Sequence, residues 1–320
     1  MKKSVKVTLI IVGVVLALFL AVTFGGGAYM VKFALQPADR GFDMEHERAK
    51  MESRCPGIVN WWDSLYNKGA LRDTFVVFPD GRKLHAMYAF ADVKTPKTAI
   101  IIHGYQNNPL NMSVIARMYK DSLGYNVFLP GLHAHGRSDG AAIQMGWKDR
   151  LDVLHWISLA PELFRTEADS MRLVLHGISM GAATTMCVSG DPTPSYVRCF
   201  IEDCGYTSVW DEYSQEMKKR FGLPEFPMLH ITSALVKARY GWSFKEASPL
   251  KQVAKCRKPM LFIHGSNDKF VPTAMVRPLY EAKPGNKALW IAPGSEHAVS
   301  YKDHKAEYTR RVADFLRYNL

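Results

Sequence analysis

The chain has 320 residues, with 41 Lys and Arg against 30 Asp and Glu, a formal net charge of +11, and 48% hydrophobic residues. That balance excludes a disordered, self-repelling chain and leaves enough length for one large domain. The basic residues are scattered without a recognisable nucleic-acid-binding module, so nucleic acid is not expected as a partner; five cysteines without zinc-site spacing make neither a metal centre nor a disulfide framework.

The first element is apolar. Val7 to Phe24 are 18 uncharged, mostly apolar residues behind Lys2, Lys3 and Lys6, and Gly25 to Val31 are uncharged as well. A helix crossing the bilayer needs about 20 such residues, with a range from about 17. Residues 1–32 are therefore read as an N-terminal transmembrane helix, with the lipid bilayer as a partner. Lys2, Lys3 and Lys6 lie before it; Lys32 and Arg40 follow it with Asp39 and Asp43 among them. The positive-inside rule then predicts a single-pass protein of the cell membrane, its N-terminus cytoplasmic and its main domain outside. Gly25-Gly26-Gly27-Ala28 is a small-residue stretch that signal cleavage would suit, giving a secreted form beginning near Tyr29 as the alternative. Residues 33–70 read as a polar, partly helical connector whose Trp61, Trp62 and Tyr66 dock on the domain at 71–320.

Within 71–320, apolar runs alternate with helical patterns, as in a mostly parallel, doubly wound α/β sheet. The run Thr98 to Ile102 ends in His103-Gly104-Tyr105, and the run Leu173 to Leu175 leads into Gly177-Ile178-Ser179-Met180-Gly181. A Gly-x-Ser-x-Gly pentapeptide between a strand and a helix lifts the serine out of a sharp turn as a nucleophile. Taken alone, the same residues describe a serine that caps a helix. The strand Val197 to Ile201 is followed by Glu202 and Asp203; Met260 to Ile263 leads to Asp268; and Ala288 to Ala292 leads to Glu296 and His297. In an open α/β sheet, loops at the carboxyl ends of strands converge on one edge. Ser179 as nucleophile, Asp268 as orienting acid and His297 as base stand in the chain order nucleophile, acid, histidine, with Asp203 the reserve acid. Backbone N–H groups of Tyr105 and Met180 are the candidate oxyanion donors.

Between Asp203 and Met260 the chain is longer than a plain crossover requires. Residues at about 207–250 read as a small helical cap, two helices around Phe221-Gly222-Leu223-Pro224-Glu225-Phe226-Pro227, whose prolines break the helix. Trp210, Tyr213, Phe226, Met228 and Leu229, with Tyr105 and Trp147, are candidates to line an apolar substrate pocket.

Over roughly residues 70 to 320 the chain resembles the α/β-hydrolase superfamily, in its serine-aminopeptidase-like branch, and is similar to bacterial membrane-anchored cell-surface hydrolases. The resemblance rests on His103-Gly104-Tyr105, Gly177-Ile178-Ser179-Met180-Gly181, Asp268, His297, and the stretches 145–152 and 201–211. It implies the α/β-hydrolase fold and a serine esterase, lipase or peptidase that needs no metal or other cofactor. One departure is visible: many relatives carry Asp-x-Arg-Gly-His-Gly-x-Ser where this chain has Gly131-Leu132-His133-Ala134-His135-Gly136-Arg137-Ser138. The expectation is a membrane-anchored serine carboxylesterase acting on small to medium acyl esters. Its alternatives are a serine peptidase for short peptides, of aminopeptidase or prolyl-peptidase type, and a non-catalytic binding protein on the same fold.

Overall fold

Parallel strands buried on both faces read as nearly unbroken apolar runs, and such runs sit at the centre of this protein's sheet. The computed structural model describes residues 2–37 and 42–320; Asp39 and Arg40, which entered the charge argument above, lie outside the described residues. Its helices and strands divide into two units, one formed by 1–36 with 209–247 and the other by 37–208 with 248–320.

The larger unit holds an eight-stranded sheet in the order β1-β2-β4-β3-β5-β6-β7-β8. Its strands are β1 (Leu71–Val77), β2 (Lys83–Ala89), β3 (Lys97–Ile102), β4 (Asn126–Pro130), β5 (Arg172–Ile178), β6 (Val197–Asp203), β7 (Met260–Gly265) and β8 (Lys287–Ala292). The first two pair antiparallel and β2 runs antiparallel to β4, while every pairing from β4 to β8 is parallel. Ala99 to Ile102 of β3 and Leu173 to Leu175 of β5 are fully buried. Each such aliphatic side chain contributes about 1.5–3 kcal/mol by leaving water. This is the α/β-hydrolase fold with a mostly parallel sheet.

Counting helices from the N-terminus, α1 is Lys2–Leu35, α2 is Met44–Arg54 and α3 is Ile58–Asn67. The connector is thus helical over most of its described length. Ile58, Trp62 and Leu65 share one helical face and join the core, but Tyr66 points to solvent with 69% exposure, against the expectation that it docks. Helices α4 (Ser113–Arg117), α5 (Asp149–Leu163) and α6 (Met180–Ser189) follow β3, β4 and β5. After β6 comes the insertion, then α9 (Pro249–Val253), α10 (Val276–Ala282), α11 (Ser300–Asp303) and α12 (Lys305–Asn319). All five cysteines are free thiols, so Cys55 and Cys256 are unbridged. Burial pushes the thiols of Cys187, Cys199, Cys204 and Cys256 up and keeps them protonated and unreactive.

The smaller unit consists of α1, α7 (Val209–Phe221) and α8 (Met228–Tyr240). Helix α1 runs three residues past position 32 and contains a candidate membrane span at Val5–Leu35. Its exposure changes along its length. Val5 to Val22 are exposed, whereas Thr23, Gly27, Val31 and Leu35 are buried in a stripe with the four-residue spacing of one helix face. The stripe meets α8: a Cβ added to Gly26 would lie 2.7 Å from Met228 Cε, and one on Gly27 would lie 2.8 Å from Ile231 Cγ2. Small residues at 26 and 27 are what let the two helices approach.

Candidate active site

Ser179 holds φ 58° and ψ −121°, a backbone region that L residues avoid at a cost of about 1–3 kcal/mol. The strain is enforced from both sides. A Cβ on Gly177 would fall 2.0 Å from the Gly181 carbonyl oxygen, and one on Gly181 would fall 2.0 Å from the carbonyl oxygen of Ile102. Only glycine allows β5, α6 and the end of β3 to close on the turn. The Ser179 N–H donates to the Asp203 carbonyl at 2.8 Å, which ties the turn to β6.

Ser179, His297 and Asp268 form one hydrogen-bonded chain. Ser179 Oγ lies 2.8 Å from His297 Nε2, and His297 Nδ1 lies 2.7 Å from Asp268 Oδ2. The loops that carry the acid and the histidine are zipped together by Ser266 N–H to the Ala292 carbonyl, Asn267 N–H to the Ser295 carbonyl and Gly294 N–H to Ser266 Oγ. Gly265 is needed at this junction, since a Cβ there would lie 2.3 Å from the Ser295 carbonyl oxygen. The His297 ring packs on Phe270 at 4.9 Å and its side chain keeps 21% exposure, enough for a substrate to reach it.

Asp268 is over-determined. Its Oδ1 accepts from the N–H groups of Phe270 and Val271 at 2.9 and 3.0 Å, while Oδ2 takes His297 and lies 3.4 Å from His264 Nε2. Burial works to raise its pKa, but hydrogen bonds from His264 and His297 outweigh burial and hold it at about 2. His264, itself buried, donates from Nε2 to the Val271 carbonyl at 2.9 Å and so clamps the acid's loop. Burial opposes charging His264; Asp268 and Glu202 overcome it and hold its pKa above the ordinary value.

The other acids do different things. Asp203 Oδ2 accepts from Tyr308 Oη at 2.9 Å, and burial lifts its pKa to about 6. Tyr308 in turn accepts from His176 Nε2 at 2.9 Å, and His176 Nδ1 accepts from Tyr119 Oη at 3.1 Å, a buried polar line across the sheet. Glu202 accepts from Gly205 N–H, and burial pushes its pKa up to about 8. Glu296 is exposed. Among these carboxylates Asp268 is the one bonded to His297. Cys204 Sγ lies within 4.8 Å of ligand atoms of Asp268 and His297, and burial raises the pKa of its thiol.

His103 was legible in the sequence only as part of His-Gly-Tyr; its role comes from the structure. Its Nδ1–H donates to the Gly104 carbonyl at 2.9 Å, and its Nε2 accepts from Leu132 N–H at 3.0 Å. Burial lowers its pKa to about 3, so it stays neutral in that tautomer. In a trans peptide the C=O and the following N–H point opposite ways. Pinning the Gly104 carbonyl therefore sets the direction of the Tyr105 N–H. Gly104 itself lies against Ser179, a Cβ there falling 3.3 Å from Ser179 Cβ. Met180 N–H stands at the first position of α6, where no intrahelical acceptor exists. We expect His103→Phe to lower kcat on a soluble ester by about 10–100-fold with KM within about twofold. Steady-state kinetics check this, and an equal fall in kcat/KM through KM alone would contradict it.

The candidate pocket residues have different surroundings within their own units. Trp147 carries Arg150 over its face at 3.8 Å. Tyr105 is half-buried and its Oη accepts from Gln106 at 3.2 Å. In the smaller unit, Trp210 packs edge-on against His230 at 4.8 Å under Lys245, Tyr213 packs on Phe244, Leu229 is buried, Phe226 is 69% exposed, and Met228 lies on Gly26. The residues that replace the Asp and Arg of the common loop motif find local partners. His133 meets Arg82 at 2.6 Å, and Ser138 Oγ bridges the Gly131 carbonyl and His85 N–H.

Comparison with known proteins agrees with this fold. A model of the prolyl oligopeptidase family matches residues 131–320. The chain is 34% identical over 230 residues to the Bacillus subtilis (strain 168) protein YqkD, covering 72% of this chain and 74% of that one. In fold it is similar to the Pyrococcus furiosus esterase Pf2001, with TM-score 0.63 and 23% identity over 80% of this chain and 95% of the esterase. It is similar also to the Pyrococcus horikoshii acylaminoacyl peptidase, with TM-score 0.60 and 17% identity over 81% of this chain and 44% of the peptidase. The chain is a hydrolase of the α/β-hydrolase fold and belongs to the prolyl oligopeptidase family.

Proposed function

We propose that the protein is a membrane-anchored serine hydrolase, a carboxylesterase for small to medium acyl esters. The observation that carries the reading is the hydrogen-bonded chain from Asp268 through His297 to Ser179 at a strained strand-to-helix turn. His297 Nε2 takes the Ser179 proton as Oγ attacks the ester carbonyl, and Asp268 stabilises the imidazolium that forms. The N–H groups of Tyr105 and Met180 receive the oxyanion. Collapse passes the proton from His297 to the leaving alcohol, and water activated by the same histidine then releases the acid.

Ester chemistry is favoured over aminopeptidase chemistry because three of the insertion's five carboxylates are already engaged: Glu216 with Arg220, Glu246 with Lys237, and Glu225 with Ser214. Family membership favours a peptidase as the second reading. With nitrophenyl butyrate and aminoacyl nitroanilides as paired substrates, kcat/KM is expected to be at least about tenfold higher for the ester, and lost for both in Ser179→Ala. Faster nitroanilide cleavage would move the assignment to a peptidase, and full activity in Ser179→Ala would remove the serine mechanism.

Retention of α1 as an anchor is supported by its packing. Cleavage after Ala28 would remove Thr23 and Gly27 from the buried stripe and strip α8 of the contacts at Ile231. The charge pattern of Lys2, Lys3 and Lys6 supports a cytoplasmic N-terminus with the hydrolase unit outside.

A further inference from the structure

Helix α1 has 34 residues, about 51 Å at ~1.5 Å per residue, and a bilayer's hydrocarbon core is only about 30 Å thick. Lys6 sets the inner edge, because a lysine keeps its charge out of hydrocarbon. Counting about 20 residues outward from Val7 brings the outer edge close to Gly26. That is where α8 begins its contact with α1, through Met228. Beyond the edge come Tyr29 and Phe33, 56% and 46% exposed, aromatic rings of the kind that settle at headgroup level. Phe33 meets Phe221, the last residue of α7, edge-on at 5.7 Å, and Arg220 lies 6.0 Å from the Phe33 ring.

The turn between α7 and α8 is thus held beside the segment of α1 that leaves the membrane. Its Phe221, Leu223 and Phe226 are exposed large apolar residues, unusual on a surface meant only for water. Lys218, Lys219 and Arg220 precede them in the last turn of α7, all exposed. Apolar side chains flanked by a basic cluster are the chemistry of a segment lying in a lipid headgroup layer.

We propose that the α7–α8 turn rests in the headgroup layer of the bilayer that α1 crosses, with Phe226 at the hydrocarbon edge and Lys218, Lys219 and Arg220 on anionic headgroups. This rests on the reading of α1 as a retained anchor. It makes the anchor part of the insertion's own fold rather than a flexible tether.

The test uses the full chain reconstituted in vesicles of phosphatidylcholine with about 30% phosphatidylglycerol, with and without 6,7-dibrominated phosphatidylcholine. In Phe226→Trp, the emission added over the parent is expected to be blue-shifted and quenched at least about twofold by the brominated lipid. Adding K218E, K219E and R220E is expected to reduce that quenching. Red-shifted, unquenched emission in vesicle-bound protein overturns the proposal while leaving the anchor intact. Blue-shifted but unquenched emission assigns the turn to a second copy of the chain instead, and quenching unaffected by the triple substitution removes the headgroup role of the basic cluster. Failure to float with the vesicles, with a mature chain that lacks α1, overturns the anchor and the proposal together. None of these readouts uses Ser179, so the hydrolase reading stands or falls separately.

Discussion

Asp268→Asn is expected to lower kcat by about 10⁴-fold while leaving the folded protein intact. The geometry dictates which way the new amide turns. Phe270 and Val271 both present N–H groups to Oδ1, so the amide oxygen must stay there and the NH₂ must take the place of Oδ2. The NH₂ then faces His297 Nδ1, which becomes an acceptor, and the histidine carries its proton on Nε2. In that tautomer it cannot take a proton from Ser179. His264 Nε2–H, 3.4 Å from Oδ2, also meets a donor, which adds a modest loss of stability. Asp203→Asn behaves differently. An asparagine there still accepts from Tyr308 with its side-chain oxygen and still holds Ser179 N–H with its carbonyl, so turnover stays within about tenfold of the parent. Ester turnover per mole of folded protein, with the melting temperature as control, checks both; a collapse in Asp203→Asn with activity retained in Asp268→Asn would exchange the two acids.

Gly181→Ala is expected to cost more than about 3 kcal/mol, at or above the upper end of ordinary overpacking. The added Cβ would stand 2.0 Å from the Ile102 carbonyl oxygen and 2.7 Å from that of His103. Both obstacles are backbone, and the first sits at the end of a fully buried strand, so neither can swing away as a side chain would. Relief requires β3 and α6 to part, which lifts α6 from the centre of the sheet and shifts the His103-Gly104-Tyr105 turn away from Ser179. Denaturant unfolding is expected to show a lower midpoint, with residual ester turnover falling further than stability alone explains. A variant that unfolds like the parent would mean that the turn is looser than these distances imply.

The fold was readable because its signals are local. Each parallel strand contains an apolar run long enough to recognise, and Ser179, Asp268 and His297 each stand in the turn or loop that follows one. Their chain order places all three candidates at the carboxyl-terminal edge of the sheet. The roles of His103, His264 and Asp203 were not readable in the same way. A histidine at the end of an apolar strand is a hint, and both His103 and His264 sit there, but what each holds depends on a partner in another segment. Asp203 was weighed for its carboxylate, whereas its backbone carbonyl is what touches the turn.

The smaller unit shows the same division. Apolar length and three flanking lysines mark α1 as a candidate membrane helix, and prolines mark the break between α7 and α8. That Gly26 and Gly27 seat α1 on α8, and that Met228 lies against α1, follows from packing between residues some 200 positions apart. By itself, then, the sequence determined the strands, the elbow, the three strand-end residues and the apolar helix, because backbone propensity and hydrophobic period act over a few neighbouring residues. Tertiary structure alone decided which carboxylate meets His297, which groups brace the His103-Gly104-Tyr105 turn and what α1 touches, because those depend on where distant segments come to rest.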